Sequence, residues 1–326
     1  MVITRTPLRI SIGGGGTDLP SYYQQFGGYV ISAAISQYIF VSINRMFSKG
    51  YLLKYSALEA PEHVEDIQHP IFREVLKRHN SDGYTEIASL ADVPSGTGLG
   101  SSGTFTVGLL KALYAFKRQP ATPEDLAAEA CDIEINVLQR AIGKQDQYIA
   151  AFGGLTCFDF RPDGSVGVNP LAISDDTLLD LEHNLLMFFT GYSRNSIGVL
   201  ADQNDRSLKG DHAMIENLHF TKQLGLSIKD ALESGKTRCY AELMKEHWEH
   251  KRARSNGMSN EQINRWYEIG MNNGALGGKL VGAGGGGYLL FYAEDPMRVR
   301  RALAPEGLSE LRFRFDHDGS TVLVRD

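Results

Sequence analysis

Pro94-Ser-Gly-Thr-Gly-Leu-Gly-Ser-Ser-Gly103 is the stretch on which the reading of this chain turns. Seven of its ten residues are glycine or serine, more than a turn that merely caps a helix requires. Glycine lets consecutive backbone N–H groups turn inward around an anion. The pattern then becomes helical, with Phe105, Leu109, Ala112, Leu113 and Phe116 on one face of a segment running from Ser101 to about Phe116. A helix N-terminus carries unpaired N–H donors and a partial positive charge, so this loop and helix read as a cradle for phosphate. The hydroxyls of Ser101, Ser102 and Thr104 add oxygens able to bind phosphate groups or a magnesium ion.

Two named glycine-loop motifs compete with that reading. Gly98-Leu-Gly-Ser-Ser-Gly103 matches G-x-G-x-x-G, the dinucleotide fingerprint. That unit needs a helix and then a strand ending in an acid about 20 residues on. Here a second helix follows instead, opened by Thr122-Pro-Glu-Asp125. Thr122 is placed to cap it, Pro123 suits its first position, and two acids favour its dipole. It reads as running to Arg140. The Walker A pattern G-x-x-x-x-G-K-[ST] does not occur.

Outward from the loop, residues 2–12, 38–46 and 84–90 read as strands, and 145–151 as a short helix. Strands near 154–159 and 165–169 follow, then a buried strand at 184–190. A helix-rich stretch covers 196–272. Strands and a helix close the chain at 287–293, 295–303 and 310–315 or 321–325. A domain change is expected between 172 and 184, where strand-rich sequence gives way to helix-rich. Glycine is the compositional outlier, and it gathers in Gly13–Gly16, Gly96–Gly103 and Gly282–Gly287. Three such clusters suggest loops converging on one site.

The remaining composition narrows the class. A net charge of −6 gives no reason to expect a nucleic-acid partner. Three widely spaced cysteines argue against a disulfide framework and for a reducing cytoplasm. No run of about 18 apolar residues or leader pattern is present, so neither a membrane span nor a targeting segment is expected.

The loop resembles the phosphate loop of the GHMP kinases, P-x-x-x-G-L-G-S-S-[GA], throughout Pro94–Gly103. Arg5-Thr-Pro-Leu-Arg-Ile-Ser-Ile-Gly-Gly-Gly-Gly-Thr-Asp18 stands where that family's first motif belongs, and Lys279-Leu-Val-Gly-Ala-Gly-Gly-Gly-Gly-Tyr288 where its last does. The resemblance implies a two-domain α+β GHMP kinase fold. Residues 1–172 would form a ribosomal protein S5 domain 2-like N-terminal domain that holds ATP. Residues 173–326 would form a ferredoxin-like C-terminal domain. It also implies ATP and Mg²⁺ as cofactors, with the nucleotide phosphates on Gly96, Gly98, Leu99, Gly100, Ser101, Ser102, Gly103 and Thr104. Ser102 and a helix glutamate would be the magnesium ligands. Glu134, in Cys131-Asp-Ile-Glu-Ile-Asn136, fits that place, although Asp132 competes and Glu134 also reads as an ordinary exposed helix carboxylate. In galactokinase-like members the base is an aspartate in G-x-x-D-Q. Gly143-Lys-Gln-Asp146-Gln supplies Asp146, which also opens a short helix. Arg9 aligns with the family's first-motif arginine, positioned to stabilise the aspartate anion.

Substrate recognition is read from the same three segments. Gly15, Gly16, Thr17 and Asp18 are the leading sugar contacts, because glycines admit a close approach and a carboxylate pairs with vicinal hydroxyls. Gly284, Gly285 and Gly286 would line the opposite side. The pairing of G-G-G-T-D with G-K-Q-D-Q-Y resembles the D-glycero-D-manno-heptose 7-phosphate kinases, which phosphorylate an anomeric hydroxyl for surface polysaccharide. A sugar that already carries phosphate needs a cationic pocket, and Lys144 and Arg194 are the candidates. The competing expectations are a kinase for a neutral sugar such as fucose or galactose, a catalytically silent sugar sensor and a mevalonate-branch decarboxylase. A homodimer is compatible with the sequence. Lys245–Arg254, which contains His247-Trp-Glu-His250, reads as a solvated basic helix face rather than a metal site.

Overall fold

A computed structural model describes residues 1–192, 197–254 and 257–326. The first half is built on a long, bent strand. The elements are β1 (Val2–Gly13), α1 (Pro20–Phe26), β2 (Gly28–Arg45), β3 (Gly50–Lys54), β4 (Leu58–Glu59), α2 (Pro70–Arg78), β5 (Tyr84–Ala91), α3 (Ser101–Phe116), α4 (Pro123–Cys131), α5 (Gln145–Phe152), β6 (Leu155–Phe160) and β7 (Val166–Pro170). β2 pairs with β1 along most of its length. Its first third pairs with β6 and its last third with β5. One sheet therefore runs β4-β3-β5-β2-β1, while β6 and β7 continue from the other end of β2.

The second half contributes α6 (Asp175–Asn184), β8 (Leu185–Phe189), α7 (Ile197–Leu208), α8 (His212–Glu233), α9 (Thr237–Arg254), α10 (Glu261–Asn272), β9 (Gly277–Leu280), β10 (Tyr288–Tyr292), α11 (Pro296–Leu303), β11 (Ser309–Glu310) and β12 (Thr321–Arg325). A second, antiparallel sheet has the order β11-β8-β10-β9. β12 does not join it, but pairs with β1 in the first sheet. A division at 172/173 thus leaves the last strand with the first half. Among the described residues no helix is long and apolar enough to cross a membrane. The expected strands and helices of the first half occur. α1, β3, β4, α2, α6, β9 and the first half of β2 are elements the sequence reading does not include.

Two features position the site. α3 lies across β1 and is held there by threonines: Thr104 Oγ1 donates to the Pro7 carbonyl (3.2 Å), and Thr4 Oγ1 to that of Gly108 (3.0 Å). The close approach leaves no room at Gly108 for a side chain, since a Cβ there would fall 2.8 Å from Thr6 Oγ1. Further along, α4 opens with the Thr122–Asp125 capping box. It does not continue as an α-helix to Arg140; Asp132–Val137 forms a π-helical turn. Such turns shift the side-chain register and occur often at functional sites. This one carries Glu134, flanked by Ile133, fully into the interior.

Candidate active site

The N-terminus of α3 opens into a cleft of 910 Å³, large enough for a cofactor and a second small molecule. The residues preceding α3 form a run of inward-turned peptides. Gly96, Gly98 and Gly100 all have positive φ (76°, 84° and 78°), and no side chain caps the helix. Gly98 is fixed twice over: besides its φ, a Cβ there would fall 2.8 Å from the Val281 carbonyl oxygen. The loop is therefore backed by the Lys279–Gly287 segment. Gly96, Gly98, Gly100, Ser101, Ser102 and Gly103 line the cleft. Leu99 is buried, and its carbonyl accepts from the Arg9 N–H (3.1 Å). Thr104 is buried with its hydroxyl turned to β1, away from any ligand of the loop.

Asp146 stands directly over this helix end. Arg9 Nε and Nη2 each lie 2.7 Å from Asp146 Oδ1, and Arg9 Nη1 donates to the Gly98 carbonyl (2.6 Å). One guanidinium thus joins the carboxylate to the loop. A Cβ on Gly103 would come within 2.7 Å of Asp146 Cβ, so that glycine is what lets α5 pack onto α3. Asp146 is not an N-cap: α5 begins at Gln145 and is capped by no side chain.

Glu134 faces the first turn of α3. Its Oε2 accepts from Ser102 Oγ (2.5 Å) and from Arg140 Nη1 (2.9 Å), and its Oε1 from Thr106 Oγ1 and Gln147 Nε2 (3.0 Å each). Arg140 Nη1 also donates to Ser102 Oγ (2.7 Å), so a cationic nitrogen sits between the two hard oxygens. The hydroxyl–carboxylate pair is of the hard-oxygen kind that magnesium takes, and Arg140 would have to give way for the ion to enter. Asp132 is not a rival, because its carboxylate pairs with Arg78 instead.

The substrate side corrects several expectations. Gly15, Gly16 and Asp18 line the cleft. Asp18 accepts the N–H groups of Gly16 (3.1 Å) and Gln145 (3.0 Å), and burial, reinforced by the charge of Asp146, raises its pKa. Thr17 is fully buried, and its hydroxyl bonds the carbonyls of Gly14 and Tyr29 (2.9 Å each). It shapes the loop and does not reach the cleft. Lys144 turns away as well: its ammonium donates to the Gly164 carbonyl (2.7 Å) and lies over the Tyr23 ring. Gly284, Gly285 and Gly286 are not cleft residues. Gly285 N–H donates to Met258 O and Gly287 N–H to Tyr192 O, while Val281, Gly282 and Ala283 make the wall. Arg194 lies outside the described residues.

What the sequence reading missed is a buried cationic wall. Lys245–Arg254 is not a solvated face, for His247, Lys251 and Arg254 of α9 line the cleft together with Lys279 of β9. The spacing 247, 251, 254 puts the three on one helix face with buried Met244 and Trp248. That periodicity was the available signal. The same cleft also receives Tyr55, His69 and Phe105, packed edge to face.

Comparison with known proteins gives the following. Residues 67–154 match the model of the GHMP kinases N-terminal domain, and residues 228–307 that of the GHMP kinases C-terminal domain. A D-glycero-alpha-D-manno-heptose 7-phosphate kinase of Campylobacter jejuni is 31% identical over 97% of either chain. An L-fucokinase/L-fucose-1-P guanylyltransferase of Bacteroides fragilis is 25% identical over 95% of this chain and 37% of its own. A crystal structure of a D-glycero-D-manno-heptose 1-phosphate kinase from Bacteroides thetaiotaomicron superposes with a TM-score of 0.81 at 26% identity, covering both chains completely.

Proposed function

The chain belongs to the GHMP kinase family and is a sugar kinase, and we propose that it transfers the γ-phosphate of ATP to the anomeric (C1) hydroxyl of D-glycero-D-manno-heptose 7-phosphate. The reading places the reaction in the cytoplasm, as a step toward nucleotide-activated heptose. Its main support is the Arg9–Asp146 pair fixed over the uncapped N-terminus of α3.

Phosphoryl transfer asks a protein for alignment and charge neutralisation more than for covalent chemistry. The peptides of 96–103 and the first turn of α3 hold the nucleotide phosphates, while Tyr55, His69 and Phe105 offer an aromatic seat for the base. Ser102 and Glu134 would hold magnesium, which when bound neutralises phosphate charge. Arg9 takes both of its short contacts on Asp146 Oδ1, and Oδ2 is assigned to the acceptor. The C1–OH proton passes to Asp146 as the new O–P bond forms and the bond to the ADP oxygen breaks; the proton then leaves to solvent. An anomeric hydroxyl is more acidic than an ordinary alcohol and suits a carboxylate base. Asp18 orients the sugar through its hydroxyls. We assign 1–172 with β12 to the nucleotide half and the rest of 173–326 to the half that completes the acceptor pocket.

A neutral sugar is the second reading. It is favoured by the fucokinase relative and by Lys144 turning away from the cleft.

The test is to incubate the protein with ATP, magnesium and a panel of heptose 7-phosphate, unphosphorylated heptose, fucose and galactose, and to follow products by ³¹P NMR. The expected result is a second phosphate signal on heptose 7-phosphate, coupled to the anomeric proton. Phosphate on another hydroxyl, or faster turnover of fucose, would overturn the assignment.

A further inference from the structure

Three basic side chains and a histidine line one side of the cleft, and among the described residues none of them makes a salt bridge. Lys279 is 2% exposed and its ammonium donates to the Ile12 carbonyl (2.8 Å). Lys251 donates to the carbonyls of Leu280 (3.1 Å) and Gly282. Arg254, 6% exposed, bonds Asn217 Oδ1 and Thr221 Oγ1 (2.8 Å each) and reaches Gln203 Oε1 (3.3 Å) and the Gly15 carbonyl (3.4 Å). Every acceptor in this set is neutral, and among the described residues none of the three cations forms an ion pair. His247 is 3% exposed, lines the same cleft, and has no hydrogen-bond partner on either ring nitrogen.

Buried cations without counter-charge are costly, and so is a buried imidazole with both nitrogens idle. Burial accordingly pushes the pKa of Lys251 and His247 well down, and neighbouring cations add to it. The two carboxylates on this side of the cleft make their hydrogen bonds elsewhere, Asp146 to Arg9 and Asp18 to two backbone amides. The charge of Asp18 acts on Arg254 without an ion-pair contact, which leaves one carboxylate against three cations and two idle imidazole nitrogens.

We infer that His247, Lys251, Arg254 and Lys279 form the subsite for a dianionic phosphate monoester carried by the acceptor, so that the enzyme reads a sugar phosphate rather than a free sugar. The inference rests on the sugar kinase reading above. The nucleotide's own phosphates are the other source of such an anion. The acceptor is favoured because Arg254 touches the Gly15 carbonyl, beside Asp18, whereas the helix end and the Ser102–Glu134 pair belong to α3 and its neighbours. The subsite takes the place of the expected Lys144 cation. It also gives the neutral-sugar reading a specific obstacle, since a neutral ligand leaves this wall uncompensated.

The experiment fills the nucleotide site first. With magnesium and a non-hydrolysable ATP analogue saturating, inorganic phosphate is titrated into wild type and into His247→Phe, Lys251→Met and Arg254→Gln by calorimetry. In parallel, kcat/KM is measured for heptose 7-phosphate and for unphosphorylated heptose. Wild type is expected to bind one further phosphate and to prefer the phosphorylated sugar by at least a hundredfold. Each variant is expected to lose phosphate binding at least tenfold and to lose most of the preference. His247→Phe also distinguishes a ligand contact from a structural role, because its Tm is expected to hold or rise while the preference falls. Preference or phosphate binding unchanged in the variants overturns the subsite. Equal wild-type rates on the two heptoses overturn it too, and leave the kinase reading standing. If no sugar consumes ATP, the kinase reading fails, and the phosphate titration alone decides the subsite: loss in the variants supports it and retention refutes it.

Discussion

Lys279 shows what a single buried charge can do to the behaviour of a site. Burial, with Arg9 close by, lowers its pKa to about 7 from the ordinary 10.5. The groups that act on it or on which it acts are Arg9 from β1 and His247 and Lys251 from α9, and Arg254, Asp18 and Asp146 line the same cleft. A folded pKa below the unfolded one means that between pH 7 and 10.5 the unfolded chain holds a proton that the folded chain has released. The contribution of Lys279 to stability thus rises with pH across that window, by at most about 1.4 kcal/mol per pH unit. An anion reverses the preference, because it stabilises the ammonium. Binding of the sugar phosphate at pH 8 should therefore take up a proton, and its KM should climb as pH rises above 8. Calorimetry in two buffers of different ionisation enthalpy measures the uptake. A Lys279→Met variant should show less of it, and equal uptake in both proteins would contradict the account.

At the scale of elements, the site depends on how closely α5 packs onto the first turn of α3. Gly103→Ala places a methyl 2.7 Å from Asp146 Cβ, so the aspartate must move. A displacement near 1 Å can cost about a hundredfold in rate. The expectation is a fall in kcat of that order with nucleotide affinity little changed, read by steady-state kinetics and nucleotide titration; unchanged kcat would contradict it. The α3 N-terminus, α5 and the capping of α4 were legible in the sequence, because glycine runs, Thr-Pro-Glu-Asp and a helical apolar period are local signals. The π-helical turn at Asp132–Val137 was not. Nothing in Cys131-Asp-Ile-Glu-Ile distinguishes an exposed glutamate from one that packing draws inward to Ser102 and Thr106. α9 differs for a related reason. Composition alone makes its basic residues solvent-facing, although His247, Lys251 and Arg254 recur at the spacing of one inward helix face. Lys144 differs in the opposite way: two residues before Asp146 in sequence, it turns to the Gly164 carbonyl and the Tyr23 ring.

Across the whole molecule, the three glycine segments do come together, but not in equivalent roles. The first admits Asp18 to the cleft, and the second forms the helix-end cradle. The third packs its Val281 carbonyl against Gly98, and its Gly284–Gly286 portion lies behind the wall. Sequence order could announce their convergence but not which peptides face the cavity, since that depends on β9 and α9 meeting the loop from the second half. The return of β12 to β1 ties the chain's end to the strand that carries Arg9. The cleft is thus enclosed by elements drawn from both halves. The central claim is that Asp146 takes the acceptor's proton there. Single-turnover transfer from ATP to heptose 7-phosphate, compared between wild type and Asp146→Asn with bound nucleotide verified in both, tests it most directly. The account predicts a fall of about 10²–10⁴ in the transfer rate at unaltered nucleotide binding; transfer within a few-fold of wild type would contradict it.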